Sequence, residues 1–394
     1  MAADSPSETF ADIDWDSDDV SGTVLSARDK GLLGTLGVLA LFFLYDLLLV
    51  PDNTPTIPDP VAWNVTQLDW LFMVTLICGF FYVIMPLYQN QRLTRYYWRE
   101  FKKNRVAVLS LLYLIVIFFI GTIGPMLLKK PELALTQQYQ PPVFTTVDAS
   151  IPIRCVGEVS QVAGNRVCHG SWQHPLGTTG DGKDILVLLI FGMDVSMKIG
   201  LIVPLIVITI GTSVGTVAAY AGGLVDEVLM RYVDIQATFP AFFLYLMLIY
   251  LFGGSLFMFI VIFGFFGWEG IARLVRSEAL QRTEEEYIQA AKSAGGSTSY
   301  VIRRHLVPNV SNTVITATTL LIPGFILFEA SLSFLSLGDP TVPSWGAVIA
   351  AGRNDLRTAW WISTFPGILL FFTILAFNFM GDALGDALDP RRGD

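Results

Sequence analysis

Eight stretches of this chain are apolar nearly throughout, and each is long enough to cross a bilayer as one helix. A hydrocarbon core of roughly 30 Å takes about 20 mostly apolar helical residues. The stretches that qualify are Leu32–Val50, Leu68–Leu87, Val106–Leu128, Val195–Tyr220, Val233–Phe252, Leu256–Val275, Val314–Leu337 and Trp360–Asp382. The expected fold class is therefore all-α, a polytopic membrane protein. Pro204, Pro323 and Pro366 fall within spans and predict kinks. The long interval from about Lys129 to Met193 is too polar and too rich in proline and glycine to cross.

Charge placement orients the spans, because lysine and arginine concentrate in short cytoplasmic segments. Arg92, Arg95, Arg99, Lys102, Lys103 and Arg105 follow the second span. Arg273, Arg276, Arg282, Lys292, Arg303 and Arg304 follow or end the sixth, and Arg391 and Arg392 lie in the tail. An even number of spans separates these clusters, so all three share a side with both termini, the cytoplasmic one. The 129–193 interval is then outside. Tyr96, Tyr97 and Trp98 among the first bases place that segment at the inner interface.

Composition agrees: the chain is 53% hydrophobic and 15% charged, against about 25% charged in a soluble domain. The net charge of −9 is concentrated at the start, where residues 1–30 hold eight acids against Arg28 and Lys30. That region reads as a disordered acidic arm without the basic start of a secretory signal. Nothing points to nucleic acid. A Pro-rich outward loop joins the first two spans and holds a sequon at Asn64, a pattern common by chance.

Several polar groups invite a chemical reading. GTTGDGKD, Gly177 to Asp184, begins like a phosphate-binding loop, but Asp184 stands where the magnesium-binding Ser or Thr should be. It also lies outside and follows no strand, so nucleotide binding by this chain is rejected. Cys155 and Cys168 sit on the oxidising face, and a disulfide between them would be worth roughly 3 kcal/mol. Free thiols, or zinc held with His169 and His174, remain open alternatives; no metal site is assigned. Glu269 and Glu329 fall inside spans, where an ionised acid costs at least about 2.5 kcal/mol. They are read as pathway or interhelical polar groups, with hydrogen bonding between helices favoured over solute contact. Asp46, in the first span, lacks a nearby base.

The most specific stretch is QAAKSAGGSTSYVIRRHLVPN, from Gln289 to Asn309. Thr283 and Glu286 form a capping-box pattern, acids Glu284 to Glu286 suit a helix N-terminus, and Gly295 is a stop. These predict a helix of about twelve residues, a turn, and a second helix through His305 ending near Pro308. Alanines at Ala290 and Ala291 would admit close approach of a partner surface.

This loop resembles the coupling helix by which permease subunits of ABC importers grip their ATPases. From His174, HPLGTTGDGKDILVLLIFGMDVSMKIG is similar to the HPLGTDxxGRD segment of C-type permeases of dipeptide, oligopeptide and nickel importers. Thr179 and Lys183 replace the usual Asp and Arg, and Gln289 replaces the loop's leading Glu. The resemblance continues at Ala218–Gly223, Asp234–Pro240, Trp268–Val275, FEASLSFLSLGDPTVPSWG from Phe328, Trp360–Gly367 and NFMGDALGDALDPR from Asn378. It covers roughly residues 93 to 392, leaving a six-span core preceded by two extra transmembrane helices.

The resemblance implies a non-catalytic permease subunit carrying peptides. Its partners would be a homologous second permease, two ATPase subunits, an extracellular solute-binding protein and membrane lipid. ATP and magnesium would bind those ATPases, with no cofactor on this chain. Docking would fall to Glu286, Tyr287, Gln289, Ala290, Ala291, Gly295, His305 and Pro308. A nickel or other small-solute importer is the alternative within the class, and an ATPase-independent secondary transporter the one outside it. The parts expected are an acidic tail at 1–30, an added transmembrane hairpin at 31–90, and a basic segment with the first core helix at 91–130. An extracellular segment at 131–192, a permease domain at 193–386 with its coupling loop at 277–312, and a cytoplasmic tail at 387–394 complete it.

Overall fold

The computed structural model describes residues 27–51, 56–57, 65–162 and 164–388. Most of the acidic arm, Asn64 with its loop, and residues 389–394 lie outside the described residues.

The chain begins with α1 (Ala27–Leu49) and α2 (Gln67–Gly79), and α2 runs on through a widened π turn, Phe80–Ile84, into α3 (Met85–Gln89). α4 (Gln91–Phe101) and α5 (Arg105–Leu127) follow. After a long polar segment come α6 (Ile185–Ala221), α7 (Gly223–Thr238), α8 (Ala241–Phe252), α9 (Leu256–Phe266) and α10 (Glu269–Thr283). α11 (Glu286–Ser293) and α12 (Thr298–Val301) lead through another π turn, Ile302–Leu306, to α13 (Val307–Phe334). α14 (Trp345–Gly352) and α15 (Trp361–Leu388) close the described chain. Seven helical runs among the described residues are long and apolar enough to span a membrane, and the bent pair α7–α8 makes an eighth. The protein is thus a polytopic all-α membrane protein with a six-span core behind an added pair.

That bend corrects the continuous span expected at Val233–Phe252. The helix breaks at Phe239–Pro240, and its two halves meet at 58°. Pro240 supplies no N–H and pushes the residue before it out of the helical region; Phe239 sits at ψ 126°. The fourth span, by contrast, starts ten residues earlier than its apolar run suggested. Asp184 caps α6 by accepting the Val187 amide at 3.2 Å.

α6 is the central post, 37 residues long, and α5, α9, α10 and α13 pack around it. Ile199, Ile202, Val203 and Val207 are buried along it against Phe259 and Ile260 of α9 and Val275 of α10. A second buried cluster, toward the start of α6, joins Leu189 and Met193 to Trp345 and Trp361. The indole of Trp345 donates to the Leu189 carbonyl at 3.1 Å, and that of Trp361 to Thr178 at 3.0 Å. Those donors leave neither tryptophan with an unsatisfied N–H in the interior.

The polar segment between α5 and α6 holds structure that hydropathy did not suggest. β1 (Thr146–Asp148), β3 (Asn165–His169) and β2 (Val159–Val162) form an antiparallel sheet in that order. Cys155 and Cys168 are joined by a disulfide, which takes both sulfurs away from any zinc site. GTTGDGKD serves as the entry to α6: His174 Nδ1 lies 2.8 Å from the Asp184 carboxylate, and its Nε2 lies 3.0 Å from Gln137 Oε1.

The added hairpin is fastened by polar contacts. Asp46 accepts a hydrogen bond from the Trp70 indole at 3.3 Å, so a neutral donor stands where no base is near. Thr66 and Asp69 cap α2 reciprocally. Asp69 also reaches across to Lys198 of α6, which pairs with Asp194 one turn earlier.

Candidate functional site

The loop between α10 and α13 is built on a close helix pair. Ile271, Ala272, Val275 and Ala279 of α10 are buried, and they face α6. Gly215 permits the approach: a Cβ there would lie 2.6 Å from the Ala272 carbonyl oxygen. Two ion pairs flank the same helix. Arg276 forms a two-pronged pair with Asp226, and Arg273 reaches Asp234 at 3.0 Å.

α10 then runs beyond its membrane-spanning part and ends at Thr283. Here the structure corrects the expected capping box. Thr283 belongs to the last turn of α10, and its hydroxyl donates back to the Leu280 carbonyl at 2.7 Å. With Thr283 absorbed, Glu285 becomes the N-cap of α11, without a side-chain cap. α11 is accordingly eight residues long instead of about twelve. Gly295 ends the rise at φ +82°, a conformation glycine adopts freely. The Gly296 amide donates to Ala291 and the Gly295 amide to Lys292, closing the last carbonyls in a Schellman pattern.

Burial of one side chain and two contacts hold α11 against the bundle. Ile288 is fully buried. The Gln289 side-chain amide donates to the Thr283 carbonyl at 3.1 Å, so this residue ties α11 back to α10. The Lys292 ammonium sits 4.7 Å from the centre of the Tyr220 ring, at the end of α6. Glu286, Tyr287, Gln289, Ala290 and Gly295 are exposed, and Ala291 is half-buried.

His305 is brought to α11 from the return arm. Its ring lies 6.3 Å from Tyr287 and 5.6 Å from Tyr300. The Tyr287 hydroxyl is held above the usual phenol range by partial burial, which outweighs the opposing pull of Arg282. It therefore stays a neutral donor on the exposed face. Pro308 is placed differently from expectation: no helix ends there. α12, the π turn and α13 run on as one span. The Val307 amide bonds to Ile302, five residues back, and this widened turn accommodates a residue that lacks an N–H. Pro308 is exposed near the start of α13.

The two span acids differ. Glu329 is buried and accepts the Ser333 hydroxyl at 2.6 Å within its own helix. Glu269 starts α10, where the helix dipole favours an acid, and its Oε2 is buried without a hydrogen-bond partner among the described residues. At the end of the bundle that carries the 129–184 segment, a cavity of about 350 Å³ opens beside Lys130, Asp181 and Lys183.

Sequence reasoning missed the Asp69–Lys198–Asp194 group and the Lys292–Tyr220 contact. Asp194 and Lys198, four apart in an apolar run, were a readable signal for the first. Nothing local marks the second.

The sequence model of the binding-protein-dependent transport system inner membrane component matches residues 208–394. That of the N-terminal TM domain of oligopeptide transport permease C matches residues 92–142. The chain is 33% identical over 294 residues to the oligopeptide transport system permease protein OppC of Haemophilus influenzae, covering 74% of this chain and 87% of that one. It is 35% identical over 294 residues to OppC of Escherichia coli, covering 74% and 89%. It is 33% identical over 298 residues to the dipeptide transport system permease protein DppC of Bacillus subtilis, covering 75% and 84%. Among solved structures, an inward-facing MetNI methionine ABC transporter matches at TM-score 0.44 and 18% identity, over 52% of this chain and 98% of that one.

Proposed function

The chain belongs to the family of binding-protein-dependent transport system inner membrane components, and from that premise we propose how it works. It is a transmembrane permease subunit of an ATP-driven importer, with peptides as its cargo. The nickel alternative is not favoured, since relatives across most of the chain are named for oligopeptides and dipeptides.

One observation carries the mechanism: α11 is a short helix outside the spans, exposed on one face and locked to two spans at its root. ATPase subunits dock on the face made by Glu286, Tyr287, Gln289, Ala290 and Ala291, with Gly295, His305 and Pro308 around it. Because Gln289 ties α11 to α10 and Lys292 ties it to the end of α6, a push on it moves those helices together. Rigid-body motion of this kind is how alternating access is driven. ATP and magnesium belong to the ATPases, and this chain does no chemistry of its own.

A homologous second permease completes the pathway, and an extracellular solute-binding protein delivers peptide to the outer side. There Lys130, Asp181 and Lys183 offer both signs of charge to a peptide's two termini. Both chain termini lie in the cytoplasm, on the side of the basic segments.

The test is co-purification of the cognate ATPases with an Ala290→Trp variant. Ala290 is exposed, so the variant keeps its fold while its indole blocks the docking face. The expected result is at least a tenfold loss of bound ATPase at unchanged melting temperature. Undiminished binding would overturn the assignment.

A further inference from the structure

α4 is a cationic strip fastened beside the bilayer. It lies between two spanning segments, joined to α3 through Asn90 and to α5 through Lys102–Asn104. The Thr94 hydroxyl donates to the Leu87 carbonyl at 2.6 Å and fixes the bend between α3 and α4. One face leans on the bundle: Phe101 is buried with Ala107, Ala383 and Ala387 of the neighbouring helices. This helix cannot leave the membrane surface without breaking that packing.

The other face is a ladder of positive charge. Arg92, Arg95, Arg99 and Lys102 recur at spacings of three and four and are all exposed. The sole acid of the helix, Glu100, is taken by Lys103. None of the four ladder residues has a carboxylate within ion-pair distance among the described residues. Like charges at such spacing oppose the helix, and α4 has no side-chain N-cap to offset them. A layer of anions along this face would offset them.

Exposed aromatics on the same element indicate where those anions come from. Tyr96 is 41% and Trp98 43% exposed. Trp98 stacks on Phe101, with the Lys102 ammonium 5.9 Å from its ring centre. Amphipathic rings beside lysine and arginine are the arrangement of the headgroup layer. We propose that α4 is a binding site for anionic phospholipids, with Arg92, Arg95, Arg99 and Lys102 holding headgroup phosphates and Trp98 and Tyr96 seated beside them. That the lipid belongs to the cytoplasmic leaflet rests on the orientation proposed above; the phosphate chemistry does not.

The test uses the full complex with its ATPases, exchanged into equal amounts of phosphatidylglycerol and phosphatidylcholine and read by native mass spectrometry. Wild type should retain phosphatidylglycerol over phosphatidylcholine by at least fivefold. The variant Arg92→Gln/Arg95→Gln/Arg99→Gln should bring that ratio close to one, with ATPase stoichiometry unchanged. The corresponding lysine triple variant keeps the charge and should restore the preference. Equal retention of both lipids by wild type, or an unchanged preference in the glutamine variant, would overturn the proposal. So would loss of ATPases with the lipid ratio intact, because α4 would then be a protein-docking face. Detergent-extracted complex has no sidedness, so an error in orientation leaves this readout untouched.

Discussion

Asp69 Oδ1 lies 2.7 Å from the ammonium of Lys198, and this contact ties the added hairpin to the central helix of the core. Lys198 lies equally close, 2.7 Å, to Asp194 one turn before it. All three side chains are largely hidden from solvent. Without α2, the Asp194–Lys198 pair would lose its cover on this face of α6. The matched family segments begin only at residue 92, so α2 provides from outside them a partner for a charge inside the core region.

A double-substitution cycle tests that pairing. Asp69→Asn should destabilise the purified chain by about 2 kcal/mol, less than the 3–5 for orphaning a buried charge because Asp194 remains. In a Lys198→Met background the same Asp69→Asn change should no longer destabilise, since it removes a carboxylate that has already lost its cation. The measurement is the melting temperature of all four chains in one detergent. Equal shifts in both backgrounds would mean that Asp69 acts only as the cap of α2.

The disulfide makes a separate prediction. Cys155 and Cys168 close a short loop through the outward sheet, and Cys168 is fully buried between β1 and β2. Replacing both by serine should remove roughly 3 kcal/mol of local stability. Limited proteolysis applied from outside should then cut within residues 150–170 while the spans stay intact. A chain as resistant as wild type would show that strand pairing alone holds the segment.

Hydropathy made the spans legible because their length is set by the bilayer and not by their neighbours. The departures from the sequence reading have separate physical causes. The fifth apolar run reads as continuous because Phe239 and Ala241 are apolar, yet Pro240 breaks it sterically. Thr283 and Glu286 carry a capping signal, but α10 is favourable enough to absorb Thr283 and move the cap to Glu285. The sheet of the 129–184 segment is made of strands of only three to five residues, too short to show a clear alternation, and β1 finds its partner β3 beyond the whole of β2. Around the loop, Gly295 was readable because one backbone conformation decides it. The restraint of α11 by Tyr220 was not, because that contact joins residues far apart in sequence.

Gly295 separates a backbone role from a surface role. At φ +82° a β-branched residue is strained by about 1–2 kcal/mol, whereas asparagine tolerates the conformation. Gly295→Val should therefore misdirect the chain leaving α11 and lower ATP-driven peptide uptake in proteoliposomes several-fold. Gly295→Asn should keep most of it. If asparagine were as damaging as valine, the site would require the absence of a side chain, pointing to direct contact with the ATPase.

On the proposed mechanism, the path from α11 into the membrane depends on how closely α10 approaches α6, and Gly215 is where that approach can be altered without touching the proposed docking face. An added Cβ at Gly215 would sit 2.6 Å from the Ala272 oxygen and 2.9 Å from Val275 Cβ, so α10 must shift outward. Overpacking of this kind costs about 1–3 kcal/mol. Gly215→Val should therefore lower the melting temperature and leave ATPase co-purification intact, because α11 keeps Ile288 and its bond to Thr283. Peptide uptake per ATP hydrolysed should fall several-fold, since the stroke no longer reaches α6 through close packing. Uptake per ATP equal to wild type, in a variant shown to be destabilised, would mean that force enters the bundle by another route, through Lys292 on Tyr220 or through α13.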